Sequence, residues 1–278
     1  GPFSNWQAAP EYAFGRTDHG VWELRLAADA LAHGDPYRLE GAWPGGVGDR
    51  LPAWVRRVVR DPQTESFNAE VWRPEEPYVW RNSRPPRPEG PLLVYETHVG
   101  MAQEEPKVGT YAEFEREVLP RIRDAGYGAI QIMALAEHPY YASFGYQVSS
   151  FFACSSRFGT PDDFRYFVDY CHQHGIGVLL DWVPAHFPRD EFALARFTGE
   201  PCYEYGDPNK GEHLDWGTLI FNYSRNEVRN FLITNGVGRH LCFSQISIGF
   251  FSLEHDRLRS REGRQTCSGG YPSQNPRP

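Results

Sequence analysis

Residues Leu179–Asp190 read LLDWVPAHFPRD, an apolar run that closes on Asp181 and is followed five residues later by His186. A parallel barrel strand delivers polar side chains to its C-terminal mouth in this way. The run has two counterparts upstream, LLVYE at Leu92–Glu96 and AIQIM at Ala129–Met133, with amphipathic helical patterns between them at Tyr111–Asp124 and Pro161–His174. Strand, helix, strand, helix, strand is the rhythm of parallel βαβ units. Thr110 and Thr160 stand where helix caps belong, and Glu113 completes a capping-box spacing after Thr110. Gly126 and Gly175 stand where helix ends turn left-handed. The fold class is therefore α/β, with about three of the eight units of a closed barrel legible.

Upstream of this region the period changes. From Asn5 to about Trp80 short β-like runs are broken by Gly, Pro and Asp: VWELRL at Val21–Leu26, YRLE at Tyr37–Glu40 and AEVW at Ala69–Trp72, with Leu51–Val59 ambiguous. That spacing predicts a small antiparallel β-sandwich. RNSRPPRPEGP, Arg81–Pro91, cannot be a strand interior and reads as an extended linker. The organisation expected is an N-terminal β-sandwich over 1–85, an incomplete (β/α)8 (TIM) barrel over 86–235, and a divergent tail over 236–278 with a disordered end. Such a partial barrel leaves an open parallel edge, so marginal solubility is expected unless another chain covers it. The start at Gly1-Pro2 in place of Met reads as a fragment or a processed product.

Composition narrows the function classes. Twenty-eight basic against 36 acidic residues give net −8, which argues against a nucleic-acid groove or an anionic membrane surface as the main partner. A neutral substrate fits better. Eight Trp and fifteen Tyr supply rings of the kind that stack on the apolar C–H face of a pyranose, although core packing accounts for many of them. Cys154, Cys171, Cys202, Cys242 and Cys267 have neither CxxC nor metal-ligand spacing, so they read as thiols of a cytoplasmic protein with no metal site. The sequence holds no signal peptide and no apolar run long enough to span a bilayer.

The candidate site residues follow from the strand ends. Asp181 and His186 would face one cleft, the histidine donating to a hydroxyl and the carboxylate orienting a neighbour. The plainer alternative is a loop-capping Asp181 and a surface His186. EHPYYASFGYQ, Glu137–Gln147, packs His138, Tyr140, Tyr141, Phe144, Tyr146 and Gln147 into one loop after a strand, and Tyr146 with amides nearby suits stacking against one sugar unit. Glu96 and His98 read as structural, because nothing pairs with Glu96 at a catalytic spacing. Asp215-Trp216-Gly217 and Phe221-Asn222-Tyr223 form an ordered loop before a helix at about Asn226–Ile233. Glu254-His255-Asp256 follows no strand and is assigned to chance.

Together with DRLPAWVRRVVRDP, VYETHVGMAQEE, GYGAIQIMALAEHPYYASFGYQVSSFFACSSRFGTP and HLDWGTLIFNYSRNEVRNFL, these stretches resemble glycogen (1,4-α-glucan) branching enzymes of the α-amylase superfamily, in family order over roughly residues 2–234. The resemblance implies a carbohydrate-binding sandwich of the isoamylase N-terminal type, a (β/α)8 barrel and a further C-terminal β domain. It also implies a cytoplasmic glycosyltransferase of glycogen biosynthesis that needs no cofactor. Such an enzyme cuts an α-1,4-glucan, holds the fragment on an Asp and transfers it to a 6-hydroxyl with a Glu acid/base. Asp181 and His186 match the family's first conserved region, His186 being expected to touch the sugar at the cleavage site. Tyr146 matches the ring beneath that sugar, and Gln147 and His138 join these as substrate contacts.

The family's DGxRxDAV-like nucleophile segment, its Glu and its HD pair have no counterpart in this sequence. No catalytic residue is therefore assigned, and at Asn235 GVGRHLCFSQ replaces the expected continuation, as a frameshift or truncation would. The chain is expected to be inactive alone. The alternative is a non-catalytic α-glucan-binding protein. A debranching or trehalose-releasing hydrolase ranks third, since it would not share EHPYYASFGYQVSSFF.

Overall fold

The computed structural model describes residues 1–18, 20–87, 89–242 and 247–250. At its centre lie four parallel strands, β1 (Val94–Thr97), β2 (Ala129–Ile132), β3 (Gly177–Trp182) and β4 (Ser247–Phe250), in the spatial order β4-β3-β2-β1. Glu96 pairs with Gln131, Gln131 with Leu179, and Asp181 with Gly249. Side chains alternate across a sheet, so Glu96, Gln131, Leu179 and Asp181 share one face. Ile130, Ile132, Val178 and Leu180 occupy the other, buried with Phe114, Phe164 and Phe167 of the covering helices.

Local chemistry sets the helix boundaries. Thr110 caps α1 (Tyr111–Glu117) through a reciprocal bond with Glu113, and Thr160 caps α3 (Pro161–Gln173) through the same exchange with Asp163. The single helix expected over Tyr111–Asp124 is broken at Val118, and α2 (Leu119–Asp124) begins a new segment. Pro120 is the cause: it has no N–H to give the Arg116 carbonyl, and its ring crowds the preceding turn.

The βα rhythm also runs one unit further than the sequence pattern indicated. The helix expected to end near Ile233 continues as Asn226–Cys242, and Ser247–Phe250 joins β3 as a parallel neighbour. Gly236 and Gly238 interrupt the apolar period, each costing about 1 kcal/mol of helix propensity. Gly236 lies against the Trp182 ring, where a Cβ would make an ordinary van der Waals contact at 3.4 Å. Asn235 locks the same turn, taking a hydrogen bond from Trp182 Nε1 at 2.9 Å and donating to the Phe151 carbonyl at 2.7 Å. Residues 251–278, with Glu254, His255, Asp256, Cys267 and the end expected to be disordered, lie outside the described residues.

The N-terminal region is antiparallel, as its spacing predicted. Gly15–Arg16 pairs with Trp22–Glu23, and Leu39–Trp43 with Gly46–Arg50. Pro36–Tyr37, Phe67–Glu70 and Val58–Arg60 form a three-stranded sheet. Arg50, 4% exposed, fastens this region to the segment after β3 by donating to the carbonyls of Phe197 and Arg196 at 3.0 and 3.2 Å. Leu51 N–H reaches the Phe192 carbonyl at 2.7 Å and Arg57 the Gly159 carbonyl at 3.3 Å. The linker is pinned where it begins. Asp169 on α3 accepts from Tyr78 Oη, from the Arg81 and Asn82 N–H groups and from Asn82 Nδ2, at 2.7–2.8 Å. Burial raises that carboxyl, but these four donors outweigh it and its pKa is lowered.

Candidate functional site: a polar cluster at the C-terminal mouth of the parallel sheet

Asp181 is 1% exposed near the end of β3. Its Oδ1 accepts from Gln131 Nε2 at 2.7 Å and its Oδ2 from Tyr146 Oη at 2.9 Å. Burial raises its pKa and the two donors oppose that, while Glu96 on the same face adds a further upward push. The Tyr146 phenol is raised by its own burial and then by Asp181. It therefore stays protonated, with its O–H committed to the carboxylate. The consequence is mechanical: Asp181 fixes the orientation of the Tyr146 ring.

The backbone that carries Tyr146 is unusual. Phe144 has φ 52 and Gly145 φ 87, both in the left-handed region, which is unfavourable for a residue such as Phe. At Gly145 only glycine fits, since a Cβ would lie 1.8 Å from the Ala134 carbonyl oxygen. Two left-handed residues in succession reverse the loop and bring Tyr146 back over the strand ends.

His186 lies in a short strand, His186–Phe187, that pairs with Thr218–Ile220. It is 8% exposed and its Nδ1 has no hydrogen-bond partner. Burial, with a smaller contribution from His213, lowers its pKa to about 4, so the ring is neutral at pH 7. Its contact is the edge of His213, centroids 5.6 Å apart. A buried, neutral imidazole with an unused nitrogen can bond a hydroxyl without the cost of desolvating a charge.

The other expected residues are placed differently. Gln147 is half-buried and takes no part in the Tyr146–Asp181–Gln131 bonds. His138 is fully buried and belongs to a second polar network. Its Nδ1 donates to the Ala136 carbonyl at 2.8 Å, its ring stacks on Tyr141, and burial lowers its pKa to about 4. The neighbouring Glu137 carboxylate is ion-paired with Arg157 at 2.8 Å and also accepts from Ser155, Ser156 and the His138 N–H. His98, at the end of β1, is packed against Tyr141, Phe144 and Phe158, and neither ring nitrogen has a partner.

Sequence reasoning missed Gln131 and His213. Gln131 had a legible signal, as a lone amide inside an apolar strand at the same register as Glu96. Among the described residues no three His, Cys, Asp or Glu side chains converge to hold a metal. No helix among them is long and apolar enough to cross a membrane.

A parallel sheet with its polar residues gathered at the strand ends defines the class, and residues 116–207 match the family model described as the alpha amylase catalytic domain. The fold recurs in solved structures. A putative alpha amylase from Salmonella typhimurium superposes with TM-score 0.69 at 25% identity, covering 87% of this chain and 38% of that one. The catalytic module of the pneumococcal glycogen-degrading virulence factor SpuA gives TM-score 0.72 at 14% identity, covering 85% and 40%.

Within that class the chain is similar in sequence to 1,4-α-glucan branching enzymes. It is 44% identical over 246 residues to the 1,4-alpha-glucan branching enzyme GlgB of Thiobacillus denitrificans, covering 85% of this chain and 33% of that protein. It is 42% identical to the 1,4-alpha-glucan-branching enzyme of Aspergillus oryzae, covering 98% of this chain and 40% of that protein. The second alignment leaves only about six residues outside it, so it takes in most of 236–278, the stretch set apart above as divergent. The chain spans about a third of the length of the curated relatives it matches.

Proposed function

We propose that this chain is the N-terminal β-sandwich (1–85) and first part of the TIM barrel (86–235) of a cytoplasmic 1,4-α-glucan branching enzyme, and that its own contribution is to hold one glucose unit of an α-1,4-glucan. The observation that carries this reading is the Tyr146–Asp181 bond of 2.9 Å, and the unpaired Nδ1 of buried His186 after the same strand supports it. Asp181 orients the Tyr146 ring as a platform for the apolar face of a pyranose, and His186 offers a neutral partner to a hydroxyl. Gln131 braces Asp181 from the opposite side. Cys154, Cys171 and Cys202 are thiols, which suits a reducing compartment.

Glycosyl transfer needs a carboxylate nucleophile and a carboxylic acid about 5–5.5 Å apart in a retaining enzyme. Asp181 is committed to Tyr146 and Gln131, so it serves positioning and neither chemical role. The branching reaction itself, cleavage of an α-1,4 bond and transfer of the fragment to a 6-hydroxyl, is the property of a protein that supplies those groups. The reading is tested by titrating the chain with glycogen and with maltotriose, alongside a branching assay. Binding that is weakened in Tyr146→Ala with the fold intact supports it, and no branching by the 278-residue chain is expected. Unchanged binding in Tyr146→Ala, or none in the parent, would overturn the glucose-holding role.

A further inference from the structure

The strand that carries His186 belongs to a three-stranded antiparallel sheet, His186–Phe187, Thr218–Ile220 and Glu212–His213, inserted after β3. Glu212 faces Leu219 in register and His213 faces Thr218. Alternation of side chains therefore puts Glu212 and Leu219 on one face and His213 on the other. The His186 ring meets His213, so these two histidines share one face of the small sheet. The opposite face carries something else: a cavity of about 240 Å³ whose walls include Glu212, Leu219, Arg189, Tyr205 and Glu204.

This cavity is braced. Arg189 donates from Nε to the Gly217 carbonyl at 3.0 Å and pairs through Nη2 with Glu212 at 2.7 Å, so it runs along the hairpin as one wall. Glu204, 3% exposed, fixes the facing wall by accepting from the Arg196, Cys202 and Tyr203 N–H groups at 2.8, 3.3 and 3.2 Å. The walls carry one aromatic ring, Tyr205, with two arginines, Arg189 and Arg196, among the carboxylates of Glu191, Glu204 and Glu212, and Arg189 is paired with Glu212. A ligand of either charge would meet repulsion from one member of that pair. A neutral diol satisfies both, accepting from Arg189 and donating to Glu212. The volume lies below the roughly 300–1,000 Å³ of pockets that take drug-sized ligands, which suits one small polar unit.

Taking the identity of the ligand from the function proposed above, we infer that this cavity is a second glucose-unit site, on the opposite face of the small sheet from His186. It holds a glucan chain at a point distinct from the strand mouth. Tyr205 gives the apolar contact, and Arg189 with Glu212 grips adjacent hydroxyls.

The test is a backbone-amide NMR titration of the 278-residue chain with maltotriose. Two separate groups of amides should move, one at Gly145 and Gln147 and one at Gly206 and Gly211. Tyr205→Ala should abolish movement of the second group and leave the first, whose persistence reports an intact fold. Glu212→Gln, which keeps the shape of the side chain, should weaken the second group about tenfold, as loss of a bond to a charged group does. Movement of the Gly145 group alone, indifferent to Tyr205→Ala, would overturn the inference while leaving the strand-mouth reading standing. Movement of the Gly206 group alone would sustain the inference and remove the strand-mouth reading. No movement at all would remove both.

Discussion

Two buried polar clusters lie at the two ends of one loop, and they differ in how completely they are closed. Around Glu137, both carboxylate oxygens are supplied, by Arg157, two serines and a backbone N–H. Around Asp181 the carboxylate has one partner on each oxygen, and His186, five residues further along, keeps an unpaired nitrogen. Buried polar groups are costly unless satisfied. A network with every valence filled stabilises the scaffold, whereas one that leaves a buried valence open has a place for something the chain does not contain. By this criterion the Glu137 carboxylate is architecture, although the Nε2 of His138 beside it has no partner, and the Asp181 carboxylate belongs to the cluster proposed above to bind.

The strongest way to break that contrast is to open the closed network. Arg157→Ala leaves a fully buried carboxylate without its counter-charge, a change that typically costs about 3–5 kcal/mol. Urea denaturation should show the midpoint falling by an amount in that range, and a loss under about 1 kcal/mol would show that Glu137 is not the closed centre described above. Asp181→Asn should cost less, because its partners are neutral donors, Gln131 and Tyr146.

Acid acts on both clusters through histidine. His138 and His186 have folded-state pKa values pushed down to about 4 by burial, against about 6.5 in the unfolded chain. Between these values the unfolded chain binds more protons than the folded one, so stability falls as pH drops from about 6.5 to 4 and is fully present only above that window. The loss for fully buried His138 is on the order of 3 kcal/mol. Denaturation at pH 7.5 and 4.5 should show it, and His138→Phe should flatten the part that belongs to the closed network. A saturating α-glucan should alter only the part that belongs to His186. Equal stability at the two pH values would mean that neither imidazole is held neutral.

The fold was more legible than the site, and the physics of each element says why. Strands β2 and β3 announced themselves because sheets covered by helices need unbroken apolar runs, and AIQIM and GVLLD supply them; LLVYE reads the same way and forms β1, although Leu92–Tyr95 are exposed. β4 and the end of the Asn226–Cys242 helix did not, because Gly236 and Gly238 weaken the period. The break at Val118 was written in Pro120 but masked by apolar residues that continue in phase on both sides. For the site, Tyr146 and Asp181 are 35 residues apart, and no spacing rule connects them. The pairing came from family resemblance, and the register of β2 against β3 then added Gln131. His138 was assigned to substrate by its membership of the aromatic loop. The carboxylate next to it, Glu137, draws that end of the loop down onto Arg157, 20 residues further along, and His138 is buried with it.

The finest division between the two clusters is made at a single oxygen atom. Tyr146→Phe removes the donor to Asp181 Oδ2 and keeps the ring, so it separates the platform from the bond that orients it. Asp181 would retain Gln131, and loss of one hydrogen bond to a buried carboxylate should cost about 1–2 kcal/mol of stability. If the cluster is a binding face, maltotriose should still stack on the phenyl ring, with affinity reduced only several-fold because the ring is less firmly held. Tyr146→Ala should abolish binding at the strand mouth with a larger loss of stability, because it also removes a ring packed on the core. A Phe variant that binds no sugar would show that the hydroxyl itself contacts ligand and that its bond to Asp181 must be exchanged on binding. A Phe variant that binds as tightly as the parent, with unchanged stability, would show that Asp181 does not orient the ring at all.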